Sequence, residues 1–117
     1  MISHLVLFRP HRDLPSDERD SLLSAFERAV RDIPTVRGVR AGRRVRSGAG
    51  YEQGASDSVE FLVAIDFDDL GGLRSYLEHP LHAELGQRFN RSCADSMIYD
   101  FVCTREASAI RALFDAE

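Results

Sequence analysis

Ile2-Ser3-His4-Leu5-Val6-Leu7-Phe8 carries apolar side chains on both of its faces. Its β-branched and aromatic content predicts a strand, ended by Arg9-Pro10. Alternation sends His4, Val6 and Phe8 to one side, and Leu5 and Leu7 to the other. Residues 95–104 repeat the pattern: Met97, Tyr99, Phe101 and Cys103 oppose Ile98 and Val102. A sheet built from such strands must be covered twice.

Only one cover is visible in the chain. Leu14-Pro15-Ser16-Asp17-Glu18 reads as a helix start, with Ser16 as the cap and two acids at the positive helix end. Leu22, Phe26, Ala29 and Ile33 then form one helical stripe, stopped by Pro34. Residues 35–46 predict a second strand, rich in arginine. Ser47-Gly48-Ala49-Gly50 is a flexible turn, and residues 51–58 are polar loop. Residues 59–67 predict a third strand, with Val59, Phe61, Val63, Ile65 and Phe67 on one face and Glu60, Leu62, Ala64 and Asp66 on the other. Asp68 or Asp69 can cap a short helix through Tyr76 and Leu77. Pro80 at a first helical position opens another, running to Ser92.

The order is the βαββαβ of an α+β, ferredoxin-like fold: a four-stranded antiparallel sheet with helices on one face. The helices leave the second apolar face open, and a bare patch of several hundred Å² is about the largest a soluble monomer tolerates. A second copy of the sheet is the simplest cover, so the expected assembly is a homodimer, two sheets face to face. Residues 1–104 are read as one domain. Residues 105–117 form a tail, with a short helix placing Ile110, Leu113 and Phe114 on one side.

Composition agrees with a single domain of 117 residues, 44% of them hydrophobic, with net charge −4. No apolar run approaches the ~20 residues that span a bilayer, so no membrane association is expected. The start of the chain lacks a basic leader, and two cysteines make no disulfide scaffold, so the protein reads as cytoplasmic. All 15 basic residues are arginine, and five of them lie between Arg37 and Arg46. Guanidinium groups suit phosphates. However, no aromatic residues interleave with these five, and net acidity opposes nucleic acid, so the reading is a solvated or intersubunit salt-bridged strand. The Ser47–Gly50 turn lacks the lysine of a phosphate-binding loop.

Chemistry concentrates in Tyr76-Leu77-Glu78-His79-Pro80-Leu81-His82. With Pro80 first in its helix, His82 is third and shares a face with Leu85 and Phe89. Gly86, one turn on, leaves space beside the imidazole. A helix N-terminus disfavours positive charge, so His82 is expected neutral near pH 7 and able to accept a proton. Tyr76 ends the preceding helix and reaches the same space. His4, on an inward-facing strand, needs a polar partner. His79 reads as either a helix cap or a pocket residue. His79 and His82 have metal-ligand spacing, but no third ligand accompanies them, so neither metal nor cofactor is expected. Cys93 and Cys103 read as small core residues.

The opening strand, the helix ending before Ile33-Pro34, the strand closing at Phe67, the Tyr-x-x-His-Pro-x-His block and Tyr99-Asp100-Phe101 together resemble the stress-responsive dimeric A/B-barrel (Dabb) family. The resemblance covers roughly residues 1–104. It implies dimers of ferredoxin-like chains whose sheets form a barrel, and many members have no known specific function. It also implies a distant similarity to a plant member, olivetolic acid cyclase, which closes a polyketide by an aldol reaction without a cofactor. On that likeness His82 falls at the general base, Tyr76 at its partner and His4 at a pocket histidine. A further pocket histidine falls about at Phe61, where this chain departs. The wider superfamily includes cofactor-free monooxygenases and haem-degrading enzymes. Three expectations follow. The first is a dimer binding a small apolar or aromatic ligand, lined by His4, Phe61, His79 and Phe89. The second is a cofactor-independent cyclase-like enzyme with His82 as base. The third is a structural or interaction module.

Overall fold

The computed structural model describes residues 1–115; the last two residues of the expected tail lie outside them. Strand β1 (Ile2–Pro10) leads to helix α1 (Ser16–Asp32) and strand β2 (Gly38–Arg43). Strand β3 (Phe61–Phe67), helices α2 (Leu70–Glu78) and α3 (Pro80–Ser92), and strand β4 (Cys93–Val102) complete the βαββαβ order. A 3₁₀ turn at Ala107–Ala109 and helix α4 (Ile110–Asp115) follow. This is the ferredoxin-like α+β fold, its sheet ordered β2-β3-β1-β4 with every neighbour antiparallel.

Local chemistry accounts for the boundaries. α1 begins at Ser16 itself. Pro15 holds the capping position with extended backbone and no side-chain cap bond, so the expected Ser16 cap is not formed. Proline fixes the entry angle there, and Asp17 and Glu18 supply the negative charge that the helix end favours. Asp69, not Asp68, caps α2, its carboxylate accepting from the Gly72 N–H at 2.8 Å. β2 is half as long as expected. Arg37 is tied to Asp68 Oδ2 and to the Pro34 carbonyl, both at 2.8 Å, before the strand starts. Beyond its end, Arg44 donates to the carbonyls of Ser56 and Val59 and pins the loop. β3 starts at Phe61 rather than 59, and a 3₁₀ turn at Gly50–Glu52 interrupts the expected loop. β4 starts earlier than expected, at Cys93, directly where α3 stops.

The register sorts the two faces. Leu5 opposes Ala64 and Tyr99; Leu7 opposes Leu62 and Met97. These side chains share one face, and no helix covers it: Tyr99 is 53% and Phe101 47% exposed. On the other face Val6, Val63, Ile65 and Phe67 pack against Leu22, Ala25, Ala29 and Ile33 of the α1 stripe, with Leu73, Tyr76 and Leu85 from α2 and α3. The helical layer stops short of the edge strand, so Ile98 and Val102 also stay exposed on the helix side.

Candidate functional site at the α2–α3 junction

One residue ends α2 and starts α3. The His79 N–H closes α2 on the Tyr76 carbonyl at 3.2 Å, and the His79 carbonyl accepts from His82 and Ala83 at 3.0 and 3.1 Å. Its backbone is extended (φ −71°, ψ 141°), as the residue before a proline prefers. Its ring Nδ1 accepts from the Leu81 N–H at 3.1 Å. His79 therefore acts as a cap, one of the two roles expected of it. Because the junction has no loop, the last turn of α2 and the first turn of α3 lie side by side. Tyr76 and His82 meet edge to face, with ring centroids 4.8 Å apart.

His4 arrives from β1 and also meets the tyrosine. Its ring stands 5.8 Å from Tyr76, also edge to face. Its Nδ1–H donates to Asp100 Oδ1 at 2.6 Å, a contact set by the direct pairing of His4 with Asp100 across β1 and β4. The carboxylate takes Nδ1, so Nε2 is the ring nitrogen left for another partner. The polar group is thus His82–Tyr76–His4–Asp100. Asp100, quoted above only within Tyr99-Asp100-Phe101, was not among the expected site residues. Its signal was available: an acid standing among apolar residues of a closing strand.

The electrostatics match a neutral base. Burial holds His82 below the usual imidazole range, and the nearby His4 ring adds to this, while a hydrogen bond to the Leu77 backbone opposes it. The expectation of a lowered value holds, but burial rather than the helix end is the main cause. Tyr76, 1% exposed, has its phenol pushed up to about 12 by burial, so it stays protonated and can donate. A Cβ added at Gly86 would meet nothing within 4 Å, so there is open space one turn beyond His82.

The expected aromatic contacts lie elsewhere on the same seam. Phe8 stacks on Phe61 at 5.6 Å and meets Phe89 edge on at 5.3 Å. Phe8 is four residues beyond His4 along β1, about 13 Å away at ~3.3 Å per residue. The seam therefore has a polar end and an aromatic end. Three open clefts of about 500, 440 and 300 Å³ are lined by neither Tyr76 nor His82, whereas Phe61 lines the two larger ones. Cys93 is pushed up to about 11 by burial, an inert thiol. Among the described residues no three His, Cys, Asp or Glu side chains are grouped to hold a metal ion, and no helix is long and apolar enough to cross a membrane.

The family model described as Stress responsive A/B Barrel Domain matches residues 2–103. The chain belongs to the Dabb family. A dimeric ferredoxin-like protein of unknown function from Thermobifida fusca is 24% identical, with a TM-score of 0.67 over 87% of this Dabb chain and 90% of that one. A hydroxynitrile lyase from Passiflora edulis is 12% identical, with a TM-score of 0.74 over 90% of this chain and 94% of the lyase. Both likenesses concern the fold. A 4-diphosphocytidyl-2-C-methyl-D-erythritol kinase from Synechococcus elongatus (strain ATCC 33912 / PCC 7942 / FACHB-805) is 39% identical over 77 residues, 63% of this chain. The Dabb chain spans 24% of the length of that curated relative.

Proposed function

We propose that this Dabb protein works as a homodimer and that each copy takes a small, partly apolar ligand in the seam between sheet and helices. The ligand's polar group meets His82 and Tyr76, with His4 behind them, and its apolar part extends toward Phe61 and Phe89. The observation that carries this reading is the half-buried imidazole of His82, set edge-on to Tyr76, with open space at Gly86. The homodimer is supported by the uncovered Leu62, Met97, Tyr99 and Phe101 on the open face, and by the dimeric state given for the Thermobifida fusca relative. Two free cysteines suit a cytoplasmic location.

A second reading is favoured by the lowered pKa of His82: a cofactor-free cyclase or lyase in which His82 removes an acidic proton next to a carbonyl. Tyr76 would donate to the developing oxyanion, and the His4–Asp100 bond would hold the back of the pocket in place.

The test is a panel of small aromatic and β-dicarbonyl compounds, followed by amide NMR and by deuterium exchange at the acidic carbon. Shifts centred on β1, α2 and α3 are expected; no shift there at millimolar compound ends the ligand reading. If exchange is catalysed, His82→Ala should lower it by roughly 10²–10⁴-fold, the usual worth of a general base. His79→Ala should mainly lower the melting temperature. Exchange that survives His82→Ala removes the base assignment.

A further inference from the structure

Four charged side chains stand on the otherwise largely apolar open face: Arg9, Asp95, Asp66 and Arg40. Arg9 and Asp95 neutralise each other at 2.6 Å. Asp66 stands apart, 9% exposed, with Oδ1 accepting a 2.6 Å bond from Ser3 Oγ. Its Oδ2 faces Gly38, its neighbour on β2, where an added Cβ would lie 3.7 Å from that oxygen. Among the described residues no cation pairs with Asp66. Arg37 and Arg105 line the cleft beside it. Arg37 is held by Asp68 and Pro34, and Arg105 lies past the end of β4.

In one copy the carboxylate keeps only a sliver of exposure, 9% for the residue, through which water supports it. A second copy lying over the face removes that water, and a buried carboxylate without a cation is strongly unfavourable. Arg40 is the complementary charge. It opposes Ala64, so it emerges on the open face two positions from Asp66 along β3. It is exposed and makes no ion pair among the described residues. Its own Asp66 is a diagonal neighbour within reach of so long a side chain, yet that bond is not made. A two-fold interface uses each contact twice. We propose that Arg40 of each copy pairs with Asp66 of the partner subunit, so that two symmetric ion pairs close the covered face and set its register. This rests on the homodimer reading.

The experiment is charge-swap complementation. Arg40→Glu and Asp66→Arg are purified separately, checked for folding by circular dichroism, and sedimented alone and as an equimolar mixture. Each alone should dimerise at least tenfold more weakly than the wild type. The mixture should recover wild-type dimers, because both pairs across the heterodimer are again opposite in sign. A pairing within one chain predicts no such recovery, so a mixture that stays monomeric overturns the proposal. So do single variants that dimerise as tightly as the wild type. A wild type that is monomeric at every concentration overturns the homodimer itself. Where a charge reversal fails to fold, Arg40→Ala and Arg40→Ala with Asp66→Asn replace it. The double variant should dimerise more tightly than Arg40→Ala, since an amide needs no cation, and its failure to do so also overturns the pair. Arg105→Ala should leave the dimer unchanged; a loss equal to that of Arg40→Ala assigns the cation to Arg105 instead.

Discussion

On one side of the sheet Val63, Ile65 and Phe67 are sealed beneath the helices; on the other, Leu62, drawn from the same strand one residue away, meets water together with Tyr99 and Phe101. The amino-acid types differ little, but the covers do. Over β1 and β3 the helix side is closed by elements of the same chain, so its packing belongs to folding. The open side holds Leu62, Met97, Tyr99 and Phe101 without an internal cover, so its packing belongs to assembly. Polar groups follow the same division. The helix side satisfies His4 within the chain, through Asp100. The open side holds Asp66, which has only a serine for company.

Three substitutions test this division. Phe67→Ala, at a fully buried position, should destabilise the chain by about 3–5 kcal/mol, the usual cost of emptying a core aromatic. Chemical denaturation should register that loss in the isolated chain, whatever its oligomeric state. Tyr99→Asp should leave monomer stability within about 0.5 kcal/mol, as surface changes do, and weaken self-association by about 100-fold, or ~2.7 kcal/mol. Analytical ultracentrifugation measures the second effect and denaturation the first. A Tyr99→Asp protein that unfolds easily but still dimerises would reverse the roles of the two faces.

The smallest effect concerns protons. The folded state lowers the pKa of His82, so below the unfolded value of about 6.5 the unfolded chain takes up the proton first. Stability from this group is therefore present above about pH 6.5 and declines as pH falls below it. In His82→Gln that part of the acid slope should vanish, as read from melting temperatures between pH 7 and 5. Tyr99→Asp should leave the slope intact, because His82 belongs to the helix side.

Much of the fold is legible in local sequence. Alternation in β1 and β3, the α1 stripe and Pro80 each name their element, because the signal lies within a few residues. The two-sided character of the sheet is likewise visible in Leu5 and Leu7. Boundaries read less well, since they depend on distant partners: Arg37 and Arg44 shorten β2 through bonds to Asp68 and to the Ser56–Val59 loop. The candidate site divides in the same way. Tyr76 and His82, six positions apart, are brought together by the loop-free junction at His79, and the sequence exposes it. The His4–Asp100 bond joins residues 96 apart, and no local pattern encodes that register. The separation of Phe61 from His82 is hidden for the same reason: it depends on where α3 lies across the sheet.

The strand order β2-β3-β1-β4 puts the first strand to be synthesised between the last two. With 96 residues separating His4 from Asp100, a ribosome adding about 5–20 residues per second needs roughly 5–20 s between them. β1 has two open edges until β3 emerges, and one of them stays unpaired until β4 follows. Chaperone demand during translation should therefore centre on the first ten residues and end abruptly when β4 emerges.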